Sequence, residues 1–176
     1  MIKKSRIRYY RSENRANRKF LGKVMIWHTI DDDGNISDPV FFQGTVNKAL
    51  YYNECVLKVL KPSSKNTIKS MKYWPDMTTS HYTKVVTLHL REENMNFVEK
   101  TFKAPNVLFA RVIERFWIIM KCKYFKIKNT TKNLANFKRS YRTLLKTETT
   151  KTVQQIMKKG RSNLRKIEKQ GVYSSM

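Results

Sequence analysis

Two carboxylates stand where metal-dependent phosphoryl chemistry could use them. Asp76 lies in the tract Lys72-Tyr73-Trp74-Pro75-Asp76-Met77-Thr78-Thr79-Ser80-His81-Tyr82, and 38 positions later Glu114 lies in Val112-Ile113-Glu114-Arg115-Phe116-Trp117. Displacing an oxygen at a phosphodiester with two divalent cations needs several carboxylates from different elements, converging on ions roughly 3.5 to 4 Å apart. Trp74 precedes a proline and is pushed into extended backbone, so Asp76 is expected to end a short aromatic strand before the polar Thr-Thr-Ser run breaks it. Glu114 is expected near the start of an apolar helix. Two acids are visible, and a third is needed.

Each of these residues also has a plainer reading. Asp before Thr-Thr-Ser is common turn chemistry, and a glutamate on a helix is often a solvated residue contacting the next turn. Asp31-Asp32-Asp33 could be offered as the missing acid, but Asp33-Gly34 is what a hairpin turn wants. Glu13 sits in a basic stretch with no strand pattern. His81 and His89, eight apart on one expected helix, read as buried or capping residues. Trp74 and Trp117 read as core aromatics packing between helix and sheet.

The elements that would position these groups follow from apolar periodicity. Residues 1–22 are polar and basic and read as an arm or loop. Lys23 to Ile30 is a β-rich apolar run, followed by the Asp-Gly turn and a second strand from Ile36 to Phe42. Val46 to Leu60 has a helical apolar period stopped by Pro62. Tyr73 to Asp76 is expected as a strand, His81 to Glu92 as a helix, Asn96 to Phe102 as a strand, and Lys103 to Ala110 as a loop. Three helices complete the chain, at Val112 to Phe125, Leu134 to Leu145 and Thr152 to Lys169. In the last of them Gly160 continues the apolar stripe from Val153 and marks a kink or a close helix contact. Alternating strands and helices behind a hairpin predict an α/β domain with a mixed sheet.

Composition narrows the partner. The 176 residues support one domain with a substantial core. With 37 Lys and Arg against 13 Asp and Glu, the net charge of +24 favours a polyanion, nucleic acid first. Basic residues gather at the ends: residues 1–23 hold nine against Glu13 alone, and residues 115–176 hold seventeen against Glu148 and Glu168. That excess goes beyond what solubility requires, and phosphate contact accounts for it. Cys55 and Cys122 lie far apart with no C-x-x-C pattern and three histidines in the chain, which argues against zinc and for reduced thiols. The longest greasy run, Phe116 to Met120, cannot span a bilayer, and the basic N-terminus has no apolar signal region behind it. A soluble, intracellular chain is expected.

The tracts Trp74-Pro75-Asp76 to Tyr82 and Pro105-Asn106 to Trp117, with Lys121 following, resemble the catalytic domain of mariner-type cut-and-paste DNA transposases. The likeness extends to Val24-Met25-Ile26-Trp27, Val46-Asn47 to Tyr51-Tyr52, Asn96-Phe97-Val98, Asn133-Leu134 to Phe137-Lys138-Arg139 and Lys169-Gln170-Gly171-Val172-Tyr173. It covers about residue 20 to the C-terminus.

The resemblance implies an RNase H-like α/β fold and a catalytic trio of Asp, Asp and then Asp or Glu, holding two Mg2+ or Mn2+ ions. Carried over, Asp76 is the second acid and Glu114 the third, and His81, which follows the second acid in the same tract, is expected to help shape the site. It further implies DNA as partner, a homodimer in the intact family, no membrane association and a nuclear location. The first acid belongs on an opening strand upstream of Val-Met-Ile-Trp, which this chain is expected to lack. The expected organisation is therefore a basic arm at 1–22, an incomplete RNase H-like domain at 23–128 with its opening strand missing, and basic C-terminal helices at 129–176. Ala104, Leu108 and Val112 replace prolines that the family tends to write, and His28 replaces a small residue. These departures read as drift in a copy no longer held to catalysis, so the expected function is an inactive transposase remnant, or a purely nucleic-acid-binding one.

Overall fold

The computed structural model describes residues 5–9, 22–60, 72–102, 112–127 and 133–170. At its centre lies a three-stranded antiparallel sheet in the order β1 (Ser5–Tyr9), β2 (Gly22–Trp27), β3 (Val40–Phe42). Ser5 pairs with Ile26 and Tyr9 with Gly22 on one side of β2, while Met25 pairs with Phe42 and Trp27 with Val40 on the other. The segment read from sequence as an arm thus contributes a strand. Its polar composition hid it, because hydrogen bonding to β2 does not require an apolar pattern of its own.

The middle strand explains why Val24-Met25-Ile26-Trp27 is apolar without alternation. Side chains on a strand point to opposite faces in turn, and both faces of β2 are covered. Val24 and Ile26 join one core with Ile113, Phe116, Met120, Phe137, Tyr141 and Val153. Met25 and Trp27 join a second with Phe42, Tyr51, Cys55, Val86 and Leu90. Val24, Ile26 and Trp27 are wholly buried, each contributing roughly 1.5 to 3 kcal/mol of hydrophobic stabilisation. Two helical layers therefore sandwich the sheet.

The first layer begins at α1 (Lys48–Tyr51), where Asn47 caps the helix by accepting the Leu50 N–H at 2.8 Å. The helix continues with wider, π-type turns through Tyr52–Leu60. Buried Tyr51, Cys55, Val56 and Leu60 follow that wider turn, whereas Ala49 and Leu50, expected inside on an α-helical period, are exposed. α2 (Lys84–Glu92) completes the layer with Val86, His89 and Leu90 inward.

The second layer holds α3 (Val112–Lys126), α4 (Leu134–Lys146) and α5 (Thr150–Gln170). Phe137, Tyr141, Val153 and Ile156 of the last two helices share their core with the sheet residues Val24 and Ile26. Lys123 on α3 is ion-paired to Glu148, whose side chain is fully buried in the turn between α4 and α5. Gly160 is buried on α5, whose helical run is continuous from Thr150 to Gln170.

The hairpin turn is built as its residues suggest. Asp31 accepts the Asn35 backbone N–H on Oδ1 and the Asn35 amide on Oδ2, and its carbonyl accepts the Gly34 N–H. Gly34 adopts φ +91°, and Ile30 bridges Ile36. Three acids in a row are accounted for as turn chemistry and as anchors for α5: Arg161 is ion-paired to Asp32 at 2.6 Å, and the Gln154 amide donates to the Asp33 carbonyl at 3.0 Å.

Two expected strands shrink. Tyr73 and Phe97 form an isolated parallel bridge, with the Tyr73 N–H donating to the Asn96 carbonyl and the Val98 N–H to the Tyr73 carbonyl. Pro75, lacking an N–H, prevents the ladder from extending towards Asp76. Past Phe97 the chain turns into a short 3-10 segment, Lys100–Phe102. The expected helix from His81 divides into a 3-10 turn, Thr79–Tyr82, and α2, with extended Thr83 between them. The stretch Lys103 to Ala110, Pro62, Pro105-Asn106, Ala104, Leu108 and the closing Gly171-Val172-Tyr173 lie outside the described residues.

Candidate active site

Asp76 sits three residues beyond the Tyr73 bridge and is 8% exposed. Its Oδ1 accepts the Thr78 N–H at 2.7 Å, an Asx-turn contact, so the plainer turn reading is realised in the geometry. The same oxygen lies 2.8 Å from Nδ1 of His81, whose side chain is fully buried. That approach is a close polar contact rather than a well-aligned hydrogen bond, and Nε2 of His81 meets no partner among the described residues. Burial alone would raise the Asp76 pKa. The His81 ring and the Thr78 donors outweigh it and hold the carboxyl well below the usual carboxylate range.

A tyrosine cage encloses this pair. The His81 ring lies over Tyr51, centroids 4.1 Å apart and 31° from coplanar. The Tyr51 and Tyr73 hydroxyls bond each other at 2.7 Å, and burial pushes both phenols well above their ordinary value. Tyr82 is likewise raised, first by burial and then by the negative charge of Asp76. The surrounding phenols are thus neutral, with one ionised carboxylate and one histidine among them. The resemblance puts His81 just after the second acid as a residue that shapes the site, and its contact with Asp76, five residues away, is made by an extended-to-3-10 turn and not by the helix expected from His81.

Glu114 occupies the first turn of α3, half-buried, beside the inward-facing Ile113 and Phe116. A negative charge near a helix N-terminus is favoured by the axial dipole. Trp117 is buried as expected, while Trp74 is half-buried. His89 is buried on α2, edge-on to Tyr52 at 5.4 Å. Among the described residues no group of three or more His, Cys, Asp or Glu side chains is gathered as a cation's ligands would be. The described residues therefore do not by themselves make a centre for the magnesium or manganese that the resemblance implies.

His28, read from sequence as drift, is wholly buried and fully used. Its Nδ1 lies 3.0 Å from the Ser37 carbonyl and its Nε2 3.2 Å from the Tyr141 hydroxyl. Phe116, Trp117 and Tyr141 surround the ring. The signal available in the sequence was its position at the end of a strand buried on both faces.

A three-stranded antiparallel sheet centred on an apolar strand, a parallel Tyr73–Phe97 contact and helices on both faces make an α/β domain. The solved structures that share it include the catalytic domain of Mos1 mariner transposase: TM-score 0.67, 12% identity, covering 98% of this chain and 81% of that one. A Mos1 catalytic domain with Raltegravir and Mn matches with TM-score 0.68, at 11% identity and 83% of that chain. The pre-cleavage Mos1 transpososome matches with TM-score 0.72 and 12% identity, this chain spanning 55% of the transpososome chain. At such identities the likeness is one of fold. No family model and no curated protein matches the sequence. No helix among the described residues is long and apolar enough to cross a membrane.

Proposed function

We propose that this chain is a mariner-type transposase catalytic domain that binds DNA and does not cut it. The observation that carries the reading is the setting of Asp76. It is buried and ionised on the residue tract that resembles the family's second acid, in a fold shared with mariner transposase catalytic domains over 98% of the chain. Glu114, on the first turn of α3, stands as the third acid.

Cleavage is not proposed because the acid trio is short by one. The strand alongside β2, where an RNase H-like meander carries its first acid, reads Ser-Arg-Ile-Arg-Tyr and contains no carboxylate. Two carboxylates supply too little charge and too few oxygens to hold a pair of divalent cations. What the chain's own residues do is hold Asp76 ionised through Thr78 and His81, beside the buried Tyr51 and Tyr73.

Incubating supercoiled plasmid with the chain and Mg2+ or Mn2+, beside Asp76→Ala and Glu114→Ala, tests the proposal. No cation-dependent nicking above the variants is expected. Nicking by the parent chain that disappears in both variants would overturn the inactive reading and establish an enzyme. DNA binding should be present without divalent cations, and its absence would remove the binding reading.

A further inference from the structure

We infer that the basic face of α5, from Lys158 to Lys169, is a cradle for the backbone phosphates of duplex DNA. The inference deepens the DNA-binding part of the function proposed above and rests on it, but it does not involve Asp76 or Glu114.

The first observation is a division of labour along the helix. The N-terminal half of α5 buries Val153, Ile156 and Gly160 against the sheet-side core, and from Arg161 to Gln170 no residue is buried. Only Asn163, Leu164 and Ile167 are half-buried there, so one stripe of this half packs and the remaining positions, basic ones among them, are left exposed. Its rigidity is inherited from the half that is packed, and its direction is fixed by the Arg161–Asp32 ion pair and the Gln154–Asp33 bond to the hairpin.

The second observation is the chemistry of that projecting half. Lys158, Arg161, Ser162, Arg165, Lys166 and Lys169 line one groove of about 370 Å³. Glu168, the lone acid of α5, is not among its lining residues. At 1.5 Å per residue, Lys158 to Lys169 spans about 16 Å. Phosphates on one strand advance about 3.4 Å each along a duplex, so the stripe faces roughly five of them. Some basic side chains on other elements are engaged, Lys138 and Arg142 lying over the Phe41 ring at 5.7 and 5.1 Å and Lys123 paired with Glu148, while within the groove Arg161 is shared with Asp32.

The duplex is chosen over two alternatives. Single strands are held by stacking bases on aromatic side chains, and Thr150–Gln170 contains none. A membrane-surface helix needs an apolar face ready to enter the lipid, whereas Val153 and Ile156 are committed to the core and no aromatic residue follows them within α5.

The test is fluorescence anisotropy of the whole chain with a 20-base-pair duplex of arbitrary sequence, in roughly 50 to 200 mM KCl without divalent cations. Substituting Lys158, Arg165, Lys166 and Lys169 together by Gln should weaken binding about tenfold or more and flatten the log–log salt slope by about three to four. Single substitutions, Lys158→Gln or Arg165→Gln, should each flatten it by about one; these exposed positions leave the fold intact. The matched control removes four exposed lysines from other elements, Lys48, Lys84, Lys100 and Lys126, and should change the slope less. Equal loss in the two sets, an unchanged slope in the α5 set, or tighter binding of a single strand or RNA than of the duplex would each overturn the inference. Failure of the parent chain to bind any DNA would instead bring down the proposed function as well.

Discussion

His28 and Tyr141, 113 residues apart, meet through Nε2 and the phenol oxygen at 3.2 Å, their rings stacked 5.7 Å apart. The Ser37 carbonyl fixes the tautomer. It can only accept, so Nδ1 carries the proton and Nε2 accepts from the tyrosine. One neutral histidine thereby joins the end of β2, the second hairpin arm and α4.

Burial lowers the His28 pKa to about 4, more than the Ser37 bond raises it. A histidine with a depressed folded-state pKa contributes stability that is complete above the unfolded value near 6.5 and is lost as pH falls, because only the unfolded chain takes up the proton. Urea midpoints measured from pH 7 to pH 4 should therefore fall, with a contribution from this residue of roughly 3 kcal/mol across the window. His28→Phe should be less stable at pH 7, having taken the His28 bonds from the Ser37 carbonyl and the Tyr141 hydroxyl, yet flatter with pH. An unchanged pH slope in that variant would show that another group drives the transition.

Asp76 predicts the opposite end of the scale. Its folded-state pKa is depressed, so its contribution is present above the ordinary carboxylate pKa and disappears as pH falls below about 4. Replacing His81 with alanine removes the largest lowering influence and leaves burial in a tyrosine-lined site, so the Asp76 carboxyl should titrate distinctly higher. A carbon-13 titration of the aspartate side chains reads this directly. A carboxyl that stays low in the variant would mean that Thr78 alone holds it.

The sheet's central strand, the hairpin turn and the three C-terminal helices were legible because each is specified locally: by an apolar run, by Asp-Gly and by a single apolar stripe. Less legible were elements whose order comes from partners. Ser5–Tyr9 pairs through its backbone while its polar sequence says little. Tyr73 and Phe97 touch over one bridge where two strands were expected, since Pro75 interrupts the ladder. At the site, residue types singled out Asp76, and the plain turn reading foretold its bond to Thr78. The contact with His81 depends on a turn between them, and the fit of His28 depends on Tyr141 from the far end of the chain.

The two cysteines should separate cleanly by reactivity. Cys55 is buried within the π-type helix beneath Tyr51, and Cys122 is exposed on α3. Thiol access, not oxidation chemistry, then sets the rate. A disulfide-exchange reagent should label one thiol per chain quickly in the native state, and Cys122→Ser should abolish that phase. The second thiol should react only when the chain opens, so its rate reports unfolding of the first helical layer. Two fast thiols in the parent chain would contradict the burial of Cys55.

Gly34 is the position where a single methyl group should do most damage. Its φ of +91° disfavours any L side chain, and a Cβ placed there would run into the Thr150 Cγ2 methyl and lie 2.6 Å from the Thr150 carbonyl oxygen and 3.0 Å from its Cα. Trimming the Thr150 side chain removes the methyl obstacle but leaves the two backbone ones. Gly34→Ala should then cost about 1 to 3 kcal/mol and push the hairpin away from the start of α5, loosening the Arg161–Asp32 and Gln154–Asp33 contacts with it. Thermal melts measure the cost, and the double variant Gly34→Ala, Thr150→Ser should recover little of it. Full recovery would show that the side chain, not the main chain, sets the approach of hairpin to helix.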